Sequence, residues 1–356
     1  VVIMAGLIDV PNRPRKIHKD PTPTSGGIAI GFGFALALAA ILFWPGGPLA
    51  NVLDGDLAKQ FAFAVAFSLA ALLLGLWDDL HPLNAYWKTG LMVALSVGVT
   101  VFVARADFLP IAGSYTLQLE GWVAVAGSAA WIFVLMNSTN FMDGLDGLSM
   151  GSSAISLVAV AIVAVINHGY GAALMAVAGA GALVGFLLWN FPRGRLFAGD
   201  AGALFAGMLS AMAALMVVRE AGVSPFVMPI LFFPTLADAL LTLVWRIQQR
   251  RNLFDGHREH FYQIALRGGI DQHQITIWYW LATLGCCALG IGAHVIRRQV
   301  VPVLETMVGP EPSIASLAVF VASLAVKASL AVLIVASVWI SARVRRFQIE
   351  RALDGE

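Results

Sequence analysis

Charge is scarce in this chain. Of its 356 residues, 12% are Asp, Glu, Lys or Arg and 59% are hydrophobic, with a mean hydropathy of +0.81. A soluble domain carries about a quarter charged residues, so that class is excluded. The formal net charge of +1 and the absence of a basic stripe exclude a nucleic-acid partner. Cysteine is rarer still. Cys286 and Cys287 adjoin inside an apolar run, which reads as core packing and excludes a disulfide framework or a thiolate metal site. Internal repeats, linkers and low-complexity tracts are also missing, so residues 1–356 read as a single domain. The midspan charges and inverted repeat of a carrier are lacking too, apart from Lys327 and Asp238.

What is present is apolar sequence in lengths that cross a bilayer, about 20 residues each. About ten spans are predicted, at 26–45, 60–77, 89–105, 119–137, 149–167, 171–190, 201–219, 224–245, 275–296 and 314–342. The fold class is therefore an all-α polytopic membrane protein. The opening VVIMAGL is too short to span and reads as the tail of a further helix, which would make about eleven. Of the 22 Lys and Arg residues, sixteen fall in loops on one side, five on the other, and Lys327 within a span. The positive-inside rule puts the first side in the cytoplasm. The polar clusters fall on that same side, which suits an enzyme with a water-soluble substrate there and a lipid in the membrane.

The most concentrated cluster is NSTNFMDGLDGL, Asn137 to Leu148. Asn137, Asn140 and Asp143 are spaced by three and would share one face of a helical turn. Asp146 follows, with Gly144 and Gly147 breaking the helix. Earlier, DVPNRPRKIHKDPTPTSGG carries Lys19 and Thr24. Its Gly26–Gly27 pair opens a span, and the amides there are expected to be free for an anion. In GLWDDL, Asp78 and Asp79 sit at a helix C-terminus, where the macrodipole already disfavours carboxylates. A metal ion, Lys88 or bulk water must offset them. The run WNFPRGRLFAGDAG places Asn190 and Phe197 before Asp200, which is either the N-cap of the next helix or a metal ligand. The longest loop holds His257, Arg258 and His260. With no third nitrogen or sulfur ligand nearby, these fit a diphosphate better than zinc.

Taken in order, these motifs resemble the polyprenyl-phosphate N-acetylhexosamine-1-phosphate transferases, a family that includes phospho-MurNAc-pentapeptide translocase and the enzymes initiating O-antigen-like surface glycans. The resemblance runs from Asp9 to about Gly269. It implies transfer of a sugar-1-phosphate from a UDP-N-acetylhexosamine to undecaprenyl or another polyprenyl phosphate, with release of UMP, at a bacterial inner membrane. It implies Mg2+ as cofactor, Mn2+ substituting, with Asp200 as metal ligand and Asp78 and Asp79 beside it. Lys19, Thr24, Asn137, Asn140, Asp143, Asp146, Asn190 and Phe197 correspond to a nucleotide-sugar pocket, with Phe197 stacking on uracil. Lys88, His257, Arg258 and His260 would meet phosphates. Direct attack by the lipid phosphate and a covalent intermediate on Asp78 or Asp79 both remain open, as does a homodimer. The HREH loop departs from the three-histidine version of the pentapeptide translocase, which favours a surface-glycan primer with GlcNAc or a 6-deoxy-N-acetylhexosamine.

Overall fold

A computed structural model of the chain describes residues 7–9, 21–43, 55–112, 115–308 and 312–353. Lys19 and the first six residues, on which two of the expectations above rest, lie outside it. The described chain is a helical bundle with two short strand pairs. The helices run α1 (Gly26–Leu42), α2 (Gly55–Leu80), α3 (Ala85–Phe102), α4 (Gly121–Phe141), α5 (Leu148–Ile166), α6 (Tyr170–Asn190) and α7 (Gly199–Ala221). They continue as α8 (Val227–Leu231), α9 (Phe233–Gln248), α10 (Phe261–Arg267), α11 (Gln272–Val308) and α12 (Pro312–Leu353). β1 (Ile8–Asp9) pairs antiparallel with β2 (Thr22–Pro23), and β3 (Phe108–Ala112) with β4 (Tyr115–Gln118).

Among the described residues, eight helices are long and apolar enough to cross a membrane: α2 to α7 and the apolar parts of α11 and α12. α1 is shorter, at 17 residues. The expected span 224–245 is not one helix. It divides at Phe232 into α8 and α9, because Pro234 opens α9 and has no N–H to continue the ladder of α8. At the break the Leu231 carbonyl accepts the Ser156 hydroxyl at 2.7 Å.

The bundle is built around α7. Every residue of its apolar window is buried, and α1, α2, α4, α5 and α6 surround it. In a bilayer, helices associate through close packing rather than the hydrophobic effect, so small residues gather where backbones meet. Gly27 of α1 faces Gly202 and Ala201, Gly75 of α2 faces the backbone of Asp200, and Gly207 of α7 lies against Met136 and Thr139 of α4. Large apolar side chains point outward instead, among them Phe32, Leu73, Leu188 and Val335. Exposed Trp77, Trp87 and Trp189 stand at one end of the bundle, and Trp122 and Tyr115 at the other, as aromatic belts do at the two membrane surfaces. Lys327 lies near the start of the α12 span, where it donates to the Ile111 carbonyl of β3 and stands 5.7 Å over the Phe226 ring.

This alternation brings to one end the C-termini of α2, α4, α6, α9 and α12 and the N-termini of α1, α3, α5, α7 and α11. The polar motifs within the described residues lie at that end.

Candidate active site

Four helices meet at a chain of polar groups. Lys88, one turn into α3, places Nζ 2.7 Å from Asp78 Oδ2 and 2.8 Å from Asp200 Oδ2. Asn140, in the last turn of α4, donates from Nδ2 to Asp200 Oδ1 at 2.6 Å. The lysine is thus the offset that the Asp78 carboxylate requires at the end of α2. The backbone amide of Leu83 adds a second donor, 2.7 Å from Asp78 Oδ1.

Asp79 finds a different partner. Its two carboxylate oxygens accept the backbone N–H groups of Asp200 at 2.9 Å and Ala201 at 3.0 Å. These are orphan donors of the first turn of α7, where the helix dipole is positive. Asp79 therefore caps α7 from another helix. Gly199 makes room for it: its φ is +67°, and a Cβ there would lie 2.6 Å from Asp79 Oδ2. This overturns the N-cap reading of Asp200. Asp200 sits inside the first turn of α7, its side chain makes no cap bond, and its carboxylate is turned toward Lys88 and Asn140.

Of the central stretch, Asn137 and Asn140 share α4, and Asp143 falls just beyond its end. Asn137 donates to the Phe133 carbonyl one turn back. Asp143 retains some exposure, yet loss of hydration pushes its carboxyl up to about 8, with further contributions from the charges of Asp200, Asp79 and Asp146. Asp146 packs against Gly194 in the loop after α6. Asn190 joins the two loops: its Oδ1 accepts Gly147 N–H at 2.6 Å and its Nδ2 donates to Leu196 O at 2.8 Å. Both ends of its amide bond to backbone, so it positions the pocket loops. Phe197 is half-buried and Thr24 lies beside Gly199; Phe197 N–H donates to Pro23 O at 2.9 Å. The Gly26 and Gly27 amides were expected to be free, but they donate to Phe197 O at 3.0 Å and Ala198 O at 2.9 Å. They dock α1 onto the start of α7 and offer nothing to an anion.

The His257–His260 loop divides in two. His260 is buried, with Nδ1 3.1 Å from Asp238 Oδ1, so it faces the interior rather than a phosphate. His257 meets Phe141, the last residue of α4, edge-on, with ring centroids 6.0 Å apart. Burial, then the charges of His260 and Arg246, lower its pKa below the ordinary histidine range. His257 Nε2 and Arg258 Nη2 are buried and make no hydrogen bond among the described residues. Orphaned polar atoms of this kind are costly unless a ligand meets them.

Several residues here had no expected role: Tyr262, whose hydroxyl donates to Phe141 O at 3.0 Å; Tyr279, 2.5 Å from Asp238 Oδ2; and His273, 2.6 Å from Pro192 O. The one visible signal was Asp238, an acid inside an apolar run, which must find a partner. That partner is the 260–262 segment and Tyr279, and Lys327 is engaged elsewhere.

Among the described residues, no group of three or more His, Cys, Asp or Glu forms a ready metal cage. The donor set nevertheless suits Mg2+, which prefers oxygen ligands and takes one or two carboxylates with water and substrate phosphate completing its shell. Asp143 and Asp200 provide such oxygens, and a cation held by them would relieve the repulsion that adds to the effect of burial on Asp143.

Comparison with known proteins agrees with this layout. The glycosyl transferase family 4 profile matches residues 61–218. The chain is 25% identical to a probable undecaprenyl-phosphate N-acetylglucosaminyl 1-phosphate transferase of Bacillus subtilis, covering 78% of this chain and 74% of that protein. It is 27% identical to a phospho-N-acetylmuramoyl-pentapeptide-transferase of Desulforudis audaxviator, covering 78% and 86%. With the decaprenyl-phosphate N-acetylglucosaminephosphotransferase of Mycobacterium leprae the identity is 30%, over 80% of this chain and 76% of the relative. This protein, a polytopic helical membrane protein with Asp78, Asp79, Asp143 and Asp200 gathered at one end, belongs to glycosyl transferase family 4.

Proposed function

We propose that the protein transfers N-acetylglucosamine-1-phosphate from UDP-GlcNAc to a polyprenyl phosphate, releasing UMP. The observation that carries this reading is the Asp78–Lys88–Asp200–Asn140 chain, set at the end of a membrane bundle beside buried polar atoms of His257 and Arg258 that make no hydrogen bond among the described residues. A lipid phosphate can reach such a site from the bilayer and a nucleotide sugar from water. The relatives named for N-acetylglucosamine support the sugar, and the HREH loop argues against a pentapeptide donor.

In the proposed reaction an oxygen of the lipid phosphate attacks the sugar-bearing phosphorus. A new P–O bond forms, the bridging P–O bond of the diphosphate breaks, and UMP departs with that oxygen. Phosphoryl transfer needs positioning and charge stabilisation more than covalent help. Lys88 is placed to hold one negatively charged partner against the other. Arg258 offers N–H donors to the diphosphate, and His257, whose Nδ1 faces the Asp255 carbonyl at 3.3 Å, offers one from Nε2 only when its ring is protonated. With Asp79 occupied by α7, Asp78 is the carboxylate of the pair left to act on the acceptor. Mg2+ held by Asp200 and Asp143 would neutralise charge developing on the diphosphate.

Purified protein in lipid, given undecaprenyl phosphate and a panel of UDP-sugars, should release UMP with UDP-GlcNAc. EDTA should stop the release, with Mg2+ or Mn2+ restoring it. Release only with UDP-MurNAc-pentapeptide would replace the sugar, release unaffected by EDTA would remove the metal, and no release with any sugar would defeat the reading.

We place the site end in the cytoplasm, because Arg193, Arg195, Arg246, Arg250, Arg251 and Arg258 all lie there. Arg193 and Asp107 are exposed at opposite ends, and the native Cys286 and Cys287 are buried, so their background labelling should be low. Arg193→Cys should react with an impermeant thiol reagent only after the inner face is opened, and Asp107→Cys without that step. The reverse pattern would invert the orientation.

A further inference from the structure

We propose that Arg345, near the end of the last helix, is a positioning residue that holds the 257–260 loop in its substrate-facing form. The inference rests on the transferase reading and extends it to a helix far outside the residues 61–218 that match the family profile.

The loop between α9 and α10 has no regular structure of its own, so its shape must come from side chains. Arg267 Nη2 donates to the Arg258 carbonyl at 2.9 Å, and two acidic anchors hold the end of the loop. Asp238 of α9 accepts the N–H groups of Phe261 at 2.9 Å and Tyr262 at 3.3 Å, and holds the His260 ring at 3.1 Å. Glu259 is the second anchor. Its carboxylate pairs with Arg246 Nη1 at 2.6 Å and with Arg251.

Arg345 links the two anchors from above. Its Nη2 lies 3.4 Å from both the Glu259 carbonyl and Thr242 Oγ1, and Thr242 in turn reaches Asp238 Oδ1 at 3.3 Å. The guanidinium stands over two aromatic rings, 4.2 Å from the Trp245 centroid and 5.3 Å from that of Phe261. Arg345 is only 6% exposed, at a helix end whose neighbours Arg343 and Arg346 face outward. A positive-inside anchor needs none of this. A planar cation over two rings, donating to the carbonyl next to the loop, fixes where Arg258 and His257 project.

Arg345→Met keeps the apolar stem against the rings and removes the fork. Two measurements test the inference, with Arg343→Met on the exposed face as the control for lost charge. Trypsin should cut within 249–260 several-fold faster in Arg345→Met than in wild type. KM for UDP-GlcNAc should rise about 5- to 30-fold with kcat within about twofold, as expected when binding geometry is lost rather than chemistry. Arg345→Lys, which keeps the charge but not the plane, should recover only part of both. Arg343→Met should match wild type. An active wild type with Arg345→Met unchanged in either measurement overturns the inference alone, as does a kcat loss at unchanged KM. A wild type that releases no UMP instead removes the transferase reading, and the substrate role of Arg345 with it.

Discussion

Asp200→Asn is expected to lower kcat by about 10²–10³-fold, the usual effect of deleting one preorganised electrostatic group, while thermal stability in detergent stays near wild type. The two halves of this expectation come from different contacts. The carboxylate meets Lys88 at 2.8 Å and Asn140 at 2.6 Å, so its charge is directed into the site. The first turn of α7 is capped by Asp79, so exchanging Asp200 for its amide removes no cap. Asparagine is isosteric and can still bond to Asn140. What it cannot do is balance Lys88 or hold a divalent cation by charge. UMP release and unfolding temperature, measured on one preparation, decide the matter. A fully active Asp200→Asn enzyme would take Asp200 out of the site and leave Lys88 serving Asp78 alone.

Much of this was legible in the chain. Apolar runs located α2 to α7, α11 and α12 because a membrane demands that every backbone group be satisfied within its own helix. The convergence of the polar motifs at one end followed from counting the helices between them. What hydropathy could not see was the break at Phe232, since Leu, Phe and Pro are all apolar and only the missing N–H of Pro234 interrupts the ladder. The site was legible as a set of residues and less so as a division of labour. Asp79, Asn190, Gly26 and Gly27 all engage the backbone of segments remote in sequence, Asp79 across 121 residues. Spacing along the chain carries no information about such partners. His260 was assigned outward with His257 for the same reason. Only the position of Asp238 turns its ring inward.

Asp79→Asn should differ from Asp78→Asn in a way that separates a structural carboxylate from a reacting one. At position 79 both oxygens accept amides from the start of α7, at 2.9 and 3.0 Å. An asparagine keeps one acceptor and turns an NH2 group toward the other N–H, leaving two donors face to face. Losing one charge-assisted bond and stranding a buried donor costs about 1–3 kcal/mol. The start of α7 must then shift, and Asp200 moves with it. Asp79→Asn is therefore expected to lose both stability and kcat. Asp78 instead faces Lys88 Nζ at 2.7 Å and the Leu83 amide at 2.7 Å. An asparagine oriented with its oxygen toward Leu83 preserves that bond and turns its NH2 toward Lys88. The flexible lysine ammonium, unlike a backbone N–H, can move off and keep its bond to Asp200. Asp78→Asn should therefore keep its unfolding temperature while kcat falls at least about 10²-fold. UDP-GlcNAc affinity by calorimetry should change little in Asp78→Asn, because its charge is needed for the reaction rather than for holding the nucleotide. The decisive comparison is stability against turnover in the two variants. An Asp79→Asn protein as stable as wild type but inactive would make Asp79 a reacting group and refute its role as the clip between α2 and α7. An Asp78→Asn protein that unfolds early would show that the Lys88 pair holds the bundle together rather than the substrates.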